Sequence, residues 1–344
     1  MRTYLMSSST LCWRLRDSLA DYGVELHTVD DHDIRTADKI LFFDLDHKLL
    51  QRCLDSGIDS DRLVLLLFEP EAVRPDQYDP HIWQHFGKVI TWRDDLVDNI
   101  RFFKLRWPQG QSLRDNSPNY DDRKLATMIN ANKFSYIESE GYSYRRKAIK
   151  SFDACSEFDL YGVGWNNPAL QARNATAAFV RSVRRSEYSV PNRIMRKTAC
   201  KYARDVVSSW LPFRSFAGSP TDKHETLARY KFCLCYENQL NRPGYITEKI
   251  FDCFFCGTVP IYLGATNIDE YIPRSSYVQM SEMPDFPALL ECMRSIGPRQ
   301  FRSIQEAGRQ FITSGAFQAW TPKRVYDEIA SGLMAKAHAV RRVT

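Results

Sequence analysis

The hydrophobic pattern of the chain alternates between short apolar runs and amphipathic stretches. The run at residues 62–68, RLVLLLF, is uninterrupted and predicts a fully buried central strand. Similar runs predict strands at 24–29, 39–43, 88–92, 125–131 and 158–163, and amphipathic stretches predict helices at 11–22, 47–56 and 144–154. Short strands alternating with helices are typical of the α/β class with an open sheet of parallel strands.

The stretch 230–273 combines this pattern with a cluster of polar residues. It predicts a strand at 231–236, a polar loop at 237–245, a helix at 246–256 that Gly257 ends, and a second strand at 258–263. In such βαβ units ligands bind at the carboxyl ends of the strands, beside the start of the helix. A helix cap and solvated charges would explain part of the cluster, but an anion-binding site is the favoured interpretation. The polar residues at this position are Glu237, Asn238, Tyr245, Thr247, Glu248 and Lys249.

Length and composition narrow the class of protein. A chain of 344 residues exceeds the usual size of one domain, so two domains are expected. Its net charge of +5 suits phosphorylated or anionic partners without indicating a nucleic-acid-binding protein. No apolar run approaches the ~18 residues that span a bilayer, and the N-terminus lacks the apolar core of a signal peptide. We therefore expect a cytoplasmic protein whose cysteines are free and, at 233, 235, 253 and 256, buried.

Two acidic features of the first half have competing interpretations. Asp44 and Asp46 have the spacing of an aspartate pair that holds a metal ion on a nucleotide-sugar, but a strand end and a helix cap explain them more simply. Glu69 follows the buried strand 62–68, where an α/β fold places catalytic groups. Catalysis and ordinary capping are equally good explanations of Glu69 from its position alone.

Residues 166–222 interrupt the α/β rhythm. Within them the segment 179–214 is rich in arginine and lysine spaced by apolar residues. Such a segment is typical of a peripheral contact with an anionic membrane or with an acidic acceptor, or of a solvated helical insertion packed on the second domain. Both alternatives stay open.

Three ordered blocks in this chain carry a family resemblance. They are Tyr236-Glu237-Asn238, Tyr245-Ile246-Thr247-Glu248-Lys249 and Gly257-Thr258-Val259-Pro260-Ile261-Tyr262-Leu263-Gly264. The stretch resembles the donor-binding motif of the α1,3/α1,4-fucosyltransferases, glycosyltransferase family ten. The expected cytoplasmic chain without a membrane anchor is similar to the bacterial members of that family. Sparser matches are Asp159-Leu160-Tyr161-Gly162 with Trp165, the helix of Arg145, and Phe68-Glu69-Pro70. The resemblance covers residues 60–280 but not the insertion.

The resemblance implies a GT-B architecture, with two Rossmann-like domains facing across a cleft and a mostly helical C-terminal tail. The expected boundaries are 1–135 for the acceptor domain, 136–315 for the donor domain with its insertion near 166–222, and 316–344 for the tail.

The resemblance also implies roles for individual residues. Glu69 would be the catalytic base that deprotonates the acceptor hydroxyl, and Lys249 with Arg145 would bind the diphosphate. Arg145 is preferred to Arg146 because it keeps the apolar spacing to the rest of its helix. Glu248 would accept hydrogen bonds from donor hydroxyls, Thr247 belongs to the same donor-binding group, and Asn238 and Tyr245 would line the nucleotide pocket. No metal is obligatory in this scheme, although a divalent ion would be compatible with it as a stimulant.

The implied function is an inverting transfer of L-fucose from GDP-fucose to a hydroxyl of an acceptor glycan, with an α1,3-type linkage. The implied acceptor is an oligosaccharide or glycolipid in bacterial surface polysaccharide or lipopolysaccharide synthesis, at the inner face of the membrane. The alternatives are a GT-B transferase for another nucleotide sugar and a non-catalytic nucleotide-sugar or glycan-binding protein. The presence of both Glu69 and Lys249 disfavours the last.

Overall fold

The computed structural model describes residues 2–7, 9–110, 113, 118–185, 198–203 and 213–335, with the backbone alone at 9–13 and 181–185. The chain divides into two compact units. The first comprises residues 1–110 together with 318–344, and the second comprises residues 111–317.

Strands and helices alternate through both units. The strands are β1 (Arg2–Met6), β2 (Val24–Thr28), β3 (Lys39–Phe43), β4 (Leu63–Leu67), β5 (Lys88–Thr91), β6 (Phe102–Lys104), β7 (Lys124–Ile129), β8 (Phe158–Tyr161), β9 (Tyr230–Tyr236), β10 (Val259–Leu263) and β11 (Val278–Gln279). The helices are α1 (Ser9–Ala20), α2 (His47–Asp55), α3 (Pro80–Trp83), α4 (Tyr142–Phe152), α5 (Pro168–Arg185), α6 (Lys223–Ala228), α7 (Glu248–Cys256), α8 (Phe286–Ser295), α9 (Pro298–Thr313) and α10 (Pro322–Met334).

The described strands of the first unit form one parallel sheet in the order β2-β1-β3-β4-β5-β6. All five residues of β4 are buried, which confirms the central strand predicted from the run RLVLLLF. The strand β1 was not predicted from the sequence, although it pairs with both β2 and β3. Its position creates a topological switch point, because the chain leaves β1 in one direction for β2 and crosses back for β3.

The C-terminal helix α10 belongs to the first unit. Val325, Tyr326, Ile329 and Leu333 are buried in the same core cluster as β1, β3 and β4. The buried ammonium of Lys88, on β5, donates to the backbone oxygens of Gly332 and Leu333 at 2.7 and 2.9 Å and so caps the end of α10. The predicted helical tail is thus part of a folded core as far as residue 335.

The second unit contains another parallel sheet, in the order β11-β10-β9-β7-β8. Counted from its own first strand, β7, this order repeats the doubly wound pattern of the first sheet, and its switch point lies between β7 and β9. Because β7 pairs with β8 and β9, residues 124–129 belong to the second sheet, whereas the predicted boundary at 135 placed them in the first domain. The loop around residue 110 therefore marks the division.

The helix α7 follows β9 and begins at Glu248, two residues later than predicted. It ends at Gly257, whose φ of +61° is the left-handed conformation that a glycine adopts at little cost.

The insertion at 166–222 is partly described. The rings of Phe179 and Tyr202 stack at 4.7 Å and pack with Tyr136 on the loop before α4. Lys201 donates to Glu140 at 2.6 Å in the same loop. The described part of the insertion therefore packs on the second unit, while residues 186–197 and 204–212 of the basic segment lie outside the described residues.

Candidate functional site

The carboxylate of Glu237 lies at the centre of the polar cluster that follows β9. Its side chain is 0% exposed. It accepts hydrogen bonds from the backbone N–H of Thr247 at 2.9 Å, the Thr247 hydroxyl at 2.8 and 3.0 Å, and the Lys249 ammonium at 2.9 Å. A buried carboxylate is stable only when it is paired and hydrogen-bonded, so these contacts fix the start of α7 against the end of β9.

Lys249 and Glu248 occupy the exposed side of this network. Lys249 is 18% exposed, with its ammonium also 2.8 Å from the Thr247 hydroxyl and 3.5 Å from Glu248 Oε1. Desolvation raises the pKa of Glu248, but the positive charges of Lys249 and Lys223 outweigh it and lower that pKa to about 2. Glu248 is therefore an anionic acceptor at neutral pH. The Lys249 ammonium is held by Glu237 and Thr247 and stays partly exposed.

Arg145 reaches the same strand end from α4. Its side chain is only 3% exposed, and it donates from Nε and Nη2 to the backbone oxygen of Tyr236 and from Nη2 to Asn238 Oδ1 at 2.9 Å. These acceptors are neutral, so the described hydrogen bonds do not pair this guanidinium with a carboxylate. Burial lowers the pKa of Arg145, and an anion bound beside it would offset the cost of its buried charge.

Arg146 points to a different place from Arg145. Its guanidinium donates to the Lys133 backbone oxygen at 2.7 Å and lies 4.2 Å from the ring centroid of Phe134. It thus supports the loop before α4, whereas Arg145 lies at the strand end with Glu237 and Asn238. This separation favours Arg145 as the residue available to an anion.

Two glycines permit the close packing around Glu237. A Cβ on Gly141, at the start of α4, would lie 2.0 Å from the Glu237 backbone oxygen. A Cβ on Gly264, after β10, would lie 2.6 Å from Glu237 Cγ. These approaches bring α4, β9 and β10 together at the carboxyl end of the sheet. Asn238 is half-buried there, whereas Tyr245 is only 1% exposed and packs into the core.

The thiols of Cys233, Cys235 and Cys253 lie beneath this cluster, between β9 and α7. Their sulfur atoms all lie within 4.8 Å of one another, and the side chains are buried. Cys235 Sγ is also 3.4 Å from the Lys249 backbone oxygen. Their burial agrees with the prediction that they are small core residues, although soft thiolates in this geometry would also suit a soft metal ion.

Glu69 lies in the first unit, directly after β4, and is half-buried. Asp46 is the N-cap of α2, accepting from the backbone N–H groups of Lys48 and Leu49. Asp44 is turned into the protein instead, toward the backbone of Glu69, at 3.0 Å from its nitrogen. Asp46 is therefore a helix cap, the simpler role considered for it, and Asp44 is a buried acceptor directly after β3.

The structure thus brings six of the seven predicted site residues together in the second unit: Arg145, Asn238, Tyr245, Thr247, Glu248 and Lys249. The seventh, Glu69, belongs to the first unit. No separate role was predicted for Glu237, which organises the cluster. Its signal was an acidic residue directly after a strand buried on both faces.

Comparison with known proteins identifies this part of the chain. Residues 201–302 match the model of glycosyltransferase family 10 (fucosyltransferase), C-terminal part. The match covers less than a third of the chain. The family 10 resemblance predicted from the three sequence blocks is thereby confirmed.

Curated relatives are similar to this chain over short segments. The α-(1,3)-fucosyltransferase FucT of Helicobacter pylori is 36% identical over 73 residues, which are 21% of this chain and 15% of that protein. The 4-galactosyl-N-acetylglucosaminide 3-α-L-fucosyltransferase 9 of Bos taurus is 36% identical over 73 residues, or 20% of each protein. The chain thus spans no more than a fifth of the length of these relatives.

Solved structures extend the similarity of this chain to the whole fold. A crystal structure of an α1,3-fucosyltransferase matches 97% of this chain and 90% of its own, with 15% identity and a TM-score of 0.58. HepE of Anabaena, in complex with UDP and glucose, matches 97% and 99%, with 12% identity and a TM-score of 0.53. These matches confirm the GT-B fold class. No helix in the described ranges has both the length and the hydrophobicity to cross a membrane.

Proposed function

We propose that this protein transfers L-fucose from GDP-fucose to a hydroxyl of an acceptor glycan, with inversion and an α1,3-type linkage. The observation that carries the proposal is the buried guanidinium of Arg145, which the described hydrogen bonds join to neutral oxygens beside the start of α7. A diphosphate supplies the charge that such a site favours. The family 10 match and the solved fucosyltransferase complexes with GDP and GDP-fucose support the choice of donor.

In this proposal the second unit binds the donor. Arg145, Lys249 and the backbone N–H groups at the start of α7 stabilise the departing diphosphate. Ionised Glu248 accepts hydrogen bonds from ribose or fucose hydroxyls, and Asn238 lines the nucleotide pocket. Tyr245, which is 1% exposed, supports that pocket from the core. Thr247 keeps Lys249 in place through their hydrogen bond of 2.8 Å.

The proposal assigns to Glu69 the role of catalytic base. An inverting transfer needs a base that removes the proton of the acceptor hydroxyl while its oxygen attacks the anomeric carbon and the bond to the diphosphate breaks. The side chains named above supply the positive charge for the leaving group, so the scheme requires no obligatory metal ion. A divalent ion would at most stimulate the reaction.

The donor is tested by thermal shift with GDP, GDP-fucose, GDP-mannose and UDP-glucose. We expect the first two to raise the melting temperature and UDP-glucose to have no effect. A transferase for another nucleotide sugar is the alternative, since HepE, with UDP and glucose, has a similar fold. Stabilisation by UDP-glucose without stabilisation by GDP-fucose would support that alternative and refute the proposed donor.

We also propose that the acceptor is an oligosaccharide or glycolipid of a bacterial surface polysaccharide, reached at the inner face of the membrane. The H. pylori relative and the basic composition of residues 179–214 support this setting. Flotation with anionic and neutral liposomes tests it. Binding that requires anionic lipid is expected, and equal recovery with both would contradict the membrane contact.

A further inference from the structure

Asp44 forms a buried junction between two loops of the first unit. It follows β3, is 7% exposed and has a φ of +54°. Its Oδ1 atom accepts hydrogen bonds from the backbone N–H groups of Phe68 at 2.9 Å and Glu69 at 3.0 Å, and from Gln77 Nε2 at 3.0 Å. One carboxylate oxygen thus holds the strand end that carries Glu69.

The opposite side of the Glu69 backbone is held as well. The Glu69 carbonyl oxygen accepts from Gln77 Nε2 at 2.8 Å and from the Tyr78 hydroxyl at 2.8 Å. Gln77 is 0% exposed, and its Oε1 accepts from the Leu45 backbone N–H at 2.9 Å. Both peptide groups that flank Glu69 are therefore fixed by buried side chains.

Burial and a positive φ both make Asp44 an unfavourable residue for stability, so packing alone does not explain its presence. Burial removes the Asp44 carboxyl group from water and raises its pKa, against which the three donors act. The left-handed backbone at Asp44 is uncommon for a residue other than glycine. A buried acid at a positive φ whose hydrogen bonds hold the backbone around one other acidic residue is typical of support for a functional group.

We propose that Asp44 is a positioning residue for the base Glu69, and that Gln77 and Tyr78 complete the support. This inference rests on the proposed function, because it gives Asp44 a purpose only if Glu69 performs the proton transfer. Asp44 acts through the backbone of Glu69 and takes no part in binding the donor. Its loss should therefore affect turnover and leave donor binding unchanged, since the donor residues belong to the second unit.

The test compares Asp44→Ala with Asp44→Asn in steady-state fucosyl transfer. Alanine removes the acceptor and adds strain at a positive φ, so we expect kcat to fall about 100-fold, as for an ~1 Å misplacement of a catalytic group. Asparagine adopts the left-handed conformation readily and keeps Oδ1, so kcat should recover to within about tenfold of the wild-type value. The KM for GDP-fucose and the Kd for GDP should stay within about twofold of the wild-type values in both variants, because neither substitution changes a donor-binding residue.

Asp46→Ala is the matched control, because Asp46 lies two residues away and its described hydrogen bonds cap α2. It should lower the melting temperature and leave kcat unchanged. Equal losses of kcat in Asp44→Ala and Asp46→Ala would overturn the inference, since general destabilisation would then explain both.

Glu69→Gln separates this inference from the proposed function. If Glu69→Gln turns over normally, the base assignment fails and the inference fails with it. If Glu69→Gln is inactive while Asp44→Ala keeps the wild-type kcat, only the positioning role is overturned. Should Asp44→Ala not fold, Tyr78→Phe decides. A several-fold fall in kcat of Tyr78→Phe with an unchanged KM for GDP-fucose supports the positioning of Glu69, and an unchanged kcat overturns it.

Discussion

The substitution Glu237→Gln tests whether one buried carboxylate holds the donor site together. Glutamine has nearly the same volume, and its Oε1 can still accept from the Thr247 backbone N–H. Its neutral amide, however, leaves the Lys249 ammonium without the partner that now lies 2.9 Å away. Breaking a buried ion pair by removing one partner typically costs about 3–5 kcal/mol. Because Lys249 is 18% exposed, we expect the lower end, about 3 kcal/mol.

Urea denaturation measures this loss, and hydrogen exchange at the amides of α7 locates it. With an m-value of about 2–3 kcal/mol/M, the midpoint should fall by roughly 1 M or more. Glu157→Gln is the matched control, because Glu157 pairs with Arg294 at 2.6 Å while both side chains remain about half exposed. That pair should contribute less than about 1 kcal/mol. A loss below about 1 kcal/mol in Glu237→Gln, or equal losses in the two variants, would refute the organising role of Glu237.

Three further predictions follow from the contacts of single residues. Arg145→Lys should weaken GDP binding about tenfold in calorimetry, because a charged hydrogen bond contributes ~1.5–3 kcal/mol. Arg146→Lys is the control and should leave GDP binding unchanged. Equal effects of the two substitutions would contradict the assignment of Arg145 to the diphosphate. The pKa of Glu248 is lowered to about 2 in the folded protein, so its ionised carboxylate stabilises the fold at pH values above its unfolded-state pKa. This stabilisation is lost as the pH falls through 2. The difference in melting temperature between wild type and Glu248→Gln should therefore shrink from pH 6 to pH 2, and a constant difference would refute it. Ile329→Ala should lower the free energy of unfolding, measured by urea denaturation, by ~2–5 kcal/mol. Leu54→Ala, at an exposed position, should lower it by less than ~0.5 kcal/mol. A similarly small loss for Ile329→Ala would contradict the packing of α10 in the core of the first unit.

The central strands could be predicted because burial on both faces leaves a simple record in the sequence. The run RLVLLLF is an example, since every residue of β4 faces one covering layer or the other. The strand β1 was missed although it is central, because its first two residues are polar or charged and only its last three are buried. Its pairing partners, β2 and β3, lie more than 20 residues away and leave no local signal.

The polar cluster at the start of α7 could be predicted from the sequence because it lies within one βαβ unit. The contact of Arg145 with Tyr236 and Asn238 joins positions more than 90 residues apart and was not predicted. The family resemblance alone suggested that Arg145 binds the diphosphate. The organising role of Glu237 was not predicted, since a sequence does not show which acid of a polar cluster is buried. Asp44 was likewise interpreted from its spacing to Asp46, whereas its contacts with Glu69 and Gln77 depend on tertiary structure.

The most direct test of the central claim is the release of GDP from GDP-fucose by wild type and Glu69→Gln. Acceptors should include a 4-galactosyl-N-acetylglucosaminide, which the name of the Bos taurus relative specifies as a substrate of that enzyme. We expect acceptor-dependent release and a fucosylated product, identified by mass, with the wild type. In Glu69→Gln, turnover should fall by several orders of magnitude while GDP affinity is retained. Near-normal turnover in Glu69→Gln would contradict the account.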